Sequence, residues 1–161
     1  MSRVRAARPE EAGAVAALIN AINSLDGNTP RVPMTDAIVR RDLLGDAPLA
    51  WLLVAVEAER LVGFATAGLV YDAERAAPCA MLLDLYVEPA TRRRGHARAL
   101  MAALAARGQA EGVGCLWWGV DDGDEEATAF YRAIGAELEG GFTGLLLEGA
   151  ALRHLADEAQ R

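Results

Sequence analysis

Residues 79–87 read CAMLLDLYV, an almost wholly apolar run broken by one charge, Asp84. A strand apolar on both faces has to be covered from both sides, which suits the centre of an α/β sheet. Pro89 ends the run, and Arg92, Arg93, Arg94 and Gly95 lead into a stretch where Ala97, Leu100, Met101, Leu104 and Ala105 keep helical spacing. A central strand turning through arginines and a glycine directly into a helix leaves few architectures for the rest of the chain.

The flanking segments supply the other elements. A short strand is expected over 2–6. Pro9 opens a helix whose positive end Glu10 and Glu11 complement. Its apolar face is expected to be Ala14, Leu18, Ala21, Ile22 and Leu25, with Asp26-Gly27-Asn28 as the stop. Thr35 caps a second helix that ends at Gly45. Residues 49–57 and 60–71 read as a hairpin with Glu59 near its turn, and residues 94–111 as a long helix. A strand over 114–120 follows, then a helix over 125–134 capped by Asp124 and stopped by Gly135. After Gly140-Gly141 come a last strand, 142–148, and a C-terminal helix. The order β-α-α-β-β-β-α-β-α-β-α describes a mixed α/β sheet in a single domain spanning 1–161.

The chain has 161 residues, 53% of them hydrophobic and 24% charged, which fits one globular domain. No apolar run approaches the ~20 residues of a membrane span. The start, MSRVRAARPEE, has no apolar leader, so a cytoplasmic location is expected and no membrane partner. The formal net charge of −7 argues against general nucleic-acid binding; it suits a cationic substrate or simply solubility. All sixteen basic residues are arginine, a bias expected of a GC-rich bacterial genome. Cys79 and Cys115 are far apart in the chain and His96 and His154 stand alone, so no metal site is expected. The cysteines read as reduced, buried side chains.

The turn after the apolar strand carries the first chemical signal. A helix N-terminus presents outward N–H groups and a partial positive charge, which suits phosphate. Gly95 allows close approach, and Arg92, Arg93, Arg94 and Arg98 can pair with phosphate oxygens. A solvated helix cap would have the same local pattern. No GxxxxGK[ST] is present, and no GxGxxG follows the first strand.

Val87-Glu88-Pro89, then Arg92, Gly95, Ala97 and Leu100 in register, resemble the acetyl-CoA motif of the GNAT acetyltransferase family. Residues 124–136, DEEATAFYRAIGA, resemble that family's next motif through Ala127, Phe130, Tyr131, Gly135 and Ala136. Arg93 departs from a frequent glycine and Asp124 from the usual asparagine. Tyr71-Asp72, Asp84-Leu85-Tyr86-Val87 and residues 151–156 are most similar to the spermidine/spermine N-acetyltransferase-like branch. Leu83 stands where that branch has glutamate, which weakens the case for a polyamine.

The resemblance implies a GNAT-type fold: a mostly antiparallel sheet flanked by helices, with central parallel strands that splay. It implies acetyl-CoA as cosubstrate and no metal. Backbone groups of Arg92, Arg93, Arg94, Gly95, His96 and Ala97, with Arg98 nearby, would hold the pyrophosphate. Leu85, Tyr86 and Val87 would pair with the pantetheine arm, and Asp124, Ala127 and Phe130 would complete the coenzyme site. Tyr131 would protonate the departing thiolate. A homodimer is expected by the same resemblance.

The acceptor would be a small-molecule amine, polyamine or amino-acid-like. An alkylamine of pKa ~10.4 is more than ~99% protonated at pH 7, so its proton must leave before attack. Asp84 is the candidate base or amine anchor, and burial in an apolar run makes a carboxylate more basic. It could equally be a structural carboxylate. Glu57, Asp72, Glu74 or a water chain are alternatives for the base, and Tyr71 and Asp72 are candidate acceptor contacts. The acidic stretch Asp121, Asp122, Asp124, Glu125 and Glu126 can complement a helix N-terminus. Trp117 and Trp118 point to opposite faces of a strand, so at least one is expected in the core. Rival readings are a peptide or protein N-acetyltransferase and a non-catalytic acyl-CoA-binding module.

Overall fold

The computed structural model describes residues 3–141 and 143–159. Ser2 and Phe142, which the sequence places in strands, lie outside them. The chain divides into two compact units, Met1–Asp122 and Gly123–Arg161.

The first unit holds β1 (Arg3–Ala6), α1 (Ala12–Asn23), α2 (Asp36–Asp42), β2 (Trp51–Glu57), β3 (Arg60–Asp72), β4 (Ala77–Val87), α3 (His96–Ala110) and β5 (Cys115–Trp117). The sheet runs β1-β2-β3-β4-β5, antiparallel throughout except for the parallel β4–β5 pair. Helices flank it. On one face Val15 and Ile19 of α1 and Val39 of α2 pack with Val54, Phe64 and Tyr86. Alternation sends the neighbouring side chains to the other face, where Leu100 and Leu104 of α3 are fully buried. β4 is thus covered on both sides over much of its length, as its apolar run requires.

Close packing of β3 on β4 needs a glycine at 63. A Cβ there would stand 2.5 Å from the Tyr86 carbonyl oxygen. One residue of β4 is extra: Thr66 pairs with Asp84 and Ala67 with Leu82, so Leu83 forms a β-bulge.

Several expectations need correction. The buried face of α1 is Ala12, Val15, Ala16, Leu18 and Ile19, while Ala14 is exposed. That helix is apolar nearly all round, and packing rather than pattern chose the face. β5 spans three residues instead of seven. Trp117 and Trp118 are both half-buried, so neither belongs to the core. Cys79 and Cys115 are not separate thiols but are joined as a disulfide, with Cα atoms 5.0 Å apart. Parallel pairing of β4 and β5 puts the two opposite each other, which 36 residues of separation concealed.

Near the sheet's β1 edge, the Arg5 guanidinium donates to both carboxylate oxygens of Glu11 at 2.8 and 2.6 Å, and the Arg8 N–H adds a third bond at 2.8 Å. The Arg5 hydrogen bonds pull the Glu11 carboxyl down to about 2, against the opposing effect of burial. A carboxyl lowered on folding contributes stability above its unfolded value that is lost as pH falls through its folded value. Arg5→Ala is therefore expected to flatten the loss of stability between pH 4.5 and about 2. Denaturant midpoints measured across that range check it; an unchanged slope would refute the assignment.

The second unit contains α4 (Glu125–Ala133) and α5 (Gly149–Glu158). The strand expected over 142–148 does not form over 143–148. A strand needs a partner for its N–H and C=O groups, and the ladders among the described residues end at β5. Gly140, Gly141 and Gly144 further lower the segment's β preference.

Candidate functional site

The turn between β4 and α3 is built from its own backbone. Pro89–Thr91 form a single 3-10 turn, and the Thr91 N–H and hydroxyl both donate to the Glu88 carbonyl, at 2.9 and 3.1 Å. Arg92 Nε donates back to the Val87 carbonyl at 3.1 Å, tying the turn to the strand. Arg93 adopts a left-handed φ of 62°. That conformation costs a non-glycine residue about 1–2 kcal/mol, the physical reason for glycine at such a position.

Gly95 caps α3 with a φ of 86°, and the first helical bond runs from the Ala99 N–H to its carbonyl at 3.0 Å. A Cβ at Gly95 would meet no heavy atom within 4 Å, so the ground in front of the helix end is open. The amides at the start of α3 and the exposed side chains of Arg92, Arg93 and Arg98 suit an anion with several oxygens.

Two residues of the predicted set are used differently. Arg94 donates to Glu57 Oε2 at 3.0 Å and to the Ala90 carbonyl at 3.3 Å, which aims its charge at β2. The His96 side chain is buried, with Nε2 3.8 Å from Glu57 Oε1. Both side chains anchor the turn, and His96 has its backbone at the helix end.

Beside the turn, β4 outruns its parallel partner. The β4–β5 ladder covers Cys79–Met81, while β4 continues to Val87. Ladder pairing between the two stops at Met81–Trp117. The Glu88 N–H donates to the Val62 carbonyl on β3. Antiparallel alternation then turns the backbone groups of Leu85 and Val87 away from β3, and those of Tyr86 toward it. An extended amide-bearing ligand could add to that edge as a strand does.

Asp84 is half-buried rather than buried, and Thr66 Oγ1 donates to its Oδ2 at 2.5 Å. Tyr71 is exposed, and Asp72 is held by Arg75, whose N–H and guanidinium keep the Asp72 carboxyl below the usual carboxylate range. Asp72 pairs with Ala77 and Asp84 with Thr66. Six residues along β3, roughly 20 Å, thus separate the two carboxylates. The structure joins the turn to the end of β4 and sets Tyr71-Asp72 apart from Asp84. Glu57 and Asp72 both have arginine partners. Thr66 was not singled out by any motif; its one sequence signal is a lone hydroxyl in the apolar run of β3.

In the second unit Asp124 caps α4 by accepting the Ala127 N–H at 2.9 Å, and Glu125 and Glu126 occupy the first turn. Ala127, Phe130, Tyr131 and Ile134 form its half-buried stripe. The Phe130 and Tyr131 rings lie 5.1 Å apart. Burial pushes the Tyr131 hydroxyl above its ordinary value, and the Asp124 charge adds to the rise. Such a phenol stays protonated at neutral pH and can donate a proton.

Among the described residues no group of three His, Cys, Asp or Glu side chains could hold a metal ion. No helix among them is long and apolar enough to cross a membrane.

The family model described as Acetyltransferase (GNAT) family matches residues 17–136. Over 79 residues the chain is 38% identical to a thialysine N-epsilon-acetyltransferase of Caenorhabditis elegans, a match covering 47% of this chain and 49% of that protein. The chain thus spans about half the length of that curated relative. Among solved structures, an integron cassette protein from the mobile metagenome of V. cholerae superposes with a TM-score of 0.76 at 21% identity, covering 96% of this chain and 97% of that one. An aminoglycoside acetyltransferase from an uncultured soil metagenomic sample gives 0.70 at 27% identity, covering 92% and 99%.

Proposed function

We propose, from the premise that this chain belongs to the GNAT acetyltransferase family, that it transfers an acetyl group to the primary amine of a small, amino-acid-like molecule. Acetyl-CoA supplies the activated acetyl group as a thioester. The observation that carries the reading is the joined pair of features at the end of β4: an open helix start behind Gly95 and a strand edge without a ladder partner from β5. Pyrophosphate fits the first and the amides of a pantetheine arm fit the second.

In this reading the amides of Gly95, His96 and Ala97, with Arg92, Arg93 and Arg98, hold the pyrophosphate. Arg94 shapes the turn through Glu57 and Ala90. Backbone groups of Leu85 and Val87 orient the pantetheine, while those of Tyr86 between them are spent on β3, and Asp124, Ala127 and Phe130 complete the coenzyme site. Asp84 takes a proton from the acceptor's ammonium, leaving a lone pair for attack on the thioester carbonyl. Tyr131 gives its phenolic proton to the departing sulfur. Tyr71 and Asp72 contact outlying parts of the acceptor. The enzyme works as a single acetyltransferase domain over 1–161 and as a homodimer, without a resident metal.

Two relatives guide the choice of acceptor. One is named for thialysine and the other for aminoglycosides. Asp84 with its neighbour Leu83 offers one carboxylate, which favours an amine carried on an amino-acid-like chain over a polycation. Thiol release from acetyl-CoA, measured against thialysine, polyamines, aminoglycosides and short peptides, tests this. Release with thialysine-like amines is expected. Coenzyme binding without release for any amine would instead identify a binding module, and release with peptides alone would assign a protein-modifying enzyme.

A further inference from the structure

Three carboxylates lie within the strands of the sheet: Glu57, Asp72 and Asp84. Arginine neutralises two of them, Arg94 at 3.0 Å from Glu57 and Arg75 at 2.6 Å from Asp72. The partner shown for Asp84 is instead a neutral hydroxyl. Thr66 Oγ1 donates to Oδ2 at 2.5 Å, and Thr66 is only 3% exposed. Burial and cross-strand pairing fix this bond in place. Among the described residues no arginine pairs with Asp84, so its half-buried carboxylate is left able to take a cationic group.

The surroundings say where that cation arrives from. Phe64 and Thr66 share one face of β3, and Tyr86 and Asp84 share the same face of β4. Phe64 and Tyr86 are covered by α1 and α2, but further along the same face of β3 Gly68 is half-buried and Val70 is 39% exposed, and the bulge residue Leu83 next to Asp84 is 54% exposed. The cover on this face therefore gives out beyond the Thr66–Asp84 pair.

We propose that Thr66 is a positioning residue for the acceptor: its hydroxyl holds Oδ2 of Asp84 so that Oδ1 is presented to a single primary ammonium group arriving beside Leu83. Oδ1 takes one N–H proton, and the electron pair of that bond stays on the nitrogen as the nucleophile. The assignment rests on the acetyltransferase reading and adds to it a residue that acts through Asp84.

Thialysine as acceptor, with thiol release and separate KM values for amine and acetyl-CoA, provides the test. Thr66→Val keeps the shape and removes the donor. It should lower kcat/KM for the amine by about 10- to 100-fold, the worth of a hydrogen bond to a charged group, with the KM for acetyl-CoA unchanged. Thr66→Ser should restore most of the loss, and Thr66→Ala gives a second removal of the hydroxyl should the valine variant misfold. In an Asp84→Asn background Thr66→Val should cost nothing further, because residues acting as a unit are not additive. Wild-type kinetics in Thr66→Val beside a disabled Asp84→Asn would overturn the role of Thr66 alone. So would a serine variant as damaged as the valine one. Wild-type turnover in Asp84→Asn would overturn both the base and its positioning residue. No thiol release by the wild type with any amine would defeat the acetyltransferase reading itself.

Discussion

Tyr131→Phe is expected to lower turnover by about 10²–10⁴-fold, the loss that follows removal of a general acid. The substitution deletes one oxygen and little else. The ring keeps its 5.1 Å contact with Phe130, and Asp124 still caps the helix through the Ala127 N–H. Burial and the Asp124 charge both raise the hydroxyl's pKa above its usual value near 10. The donor is thus present across the neutral range and is lost only in strong alkali. A coenzyme A thiol of pKa near ~8.5 is a better leaving group than an alkoxide but still gains from a proton delivered as the bond breaks. Equilibrium binding of acetyl-CoA should be unchanged in the variant, which separates a lost proton from a lost site. Near-wild-type turnover would remove Tyr131 from the chemistry.

Gly95→Glu is expected to weaken acetyl-CoA binding by more than about 100-fold, as the loss of two charge-assisted hydrogen bonds would. Two effects act together. The side chain would enter the open ground before the start of α3, where no protein atom stands within 4 Å of a Cβ. Its carboxylate would also bring a negative charge to the place where phosphate oxygens need amides and arginine. A third effect has to be separated from these. Gly95 has a φ of 86°, so any side chain there strains the backbone by about 1–2 kcal/mol. Gly95→Ala carries the strain without the charge or the bulk. The alanine variant should therefore lose stability in denaturant while keeping most of its coenzyme affinity. Calorimetric titration of both variants, each first shown folded by circular dichroism, is the measurement. Unchanged affinity in the glutamate variant would remove the β4–α3 turn as the pyrophosphate site.

Much of the fold was legible because its signals are local. The apolar run at 79–87 appeared as β4 within two residues at its start, and Thr35, Gly95 and Asp124 stand at the starts of their helices. The motif residues of the β4–α3 turn all lie between Val87 and Leu100, and the turn brings them together with little help from the rest of the chain. The buried face of α1 was misjudged for the opposite reason. Where a helix is apolar nearly all round, its neighbours choose the face. The strand expected over 142–148 is likewise absent over 143–148, since a strand exists through its partner and no local pattern supplies one.

The sequence alone determined the element order of the first unit, the phosphate-suited turn, the helix caps and the family resemblance that the family match bears out. Only the tertiary structure decided the partnerships. Thr66 meets Asp84 across 18 residues, Cys79 meets Cys115 across 36, and Arg94 meets Glu57 across 37. Each depends on strand register or on where the turn sits against the sheet, and the Leu83 bulge resets that register midway along β4. Spacing along the chain carries helical and strand periodicity. It does not carry register, and register decides which carboxylates meet arginine and which one meets the Thr66 hydroxyl.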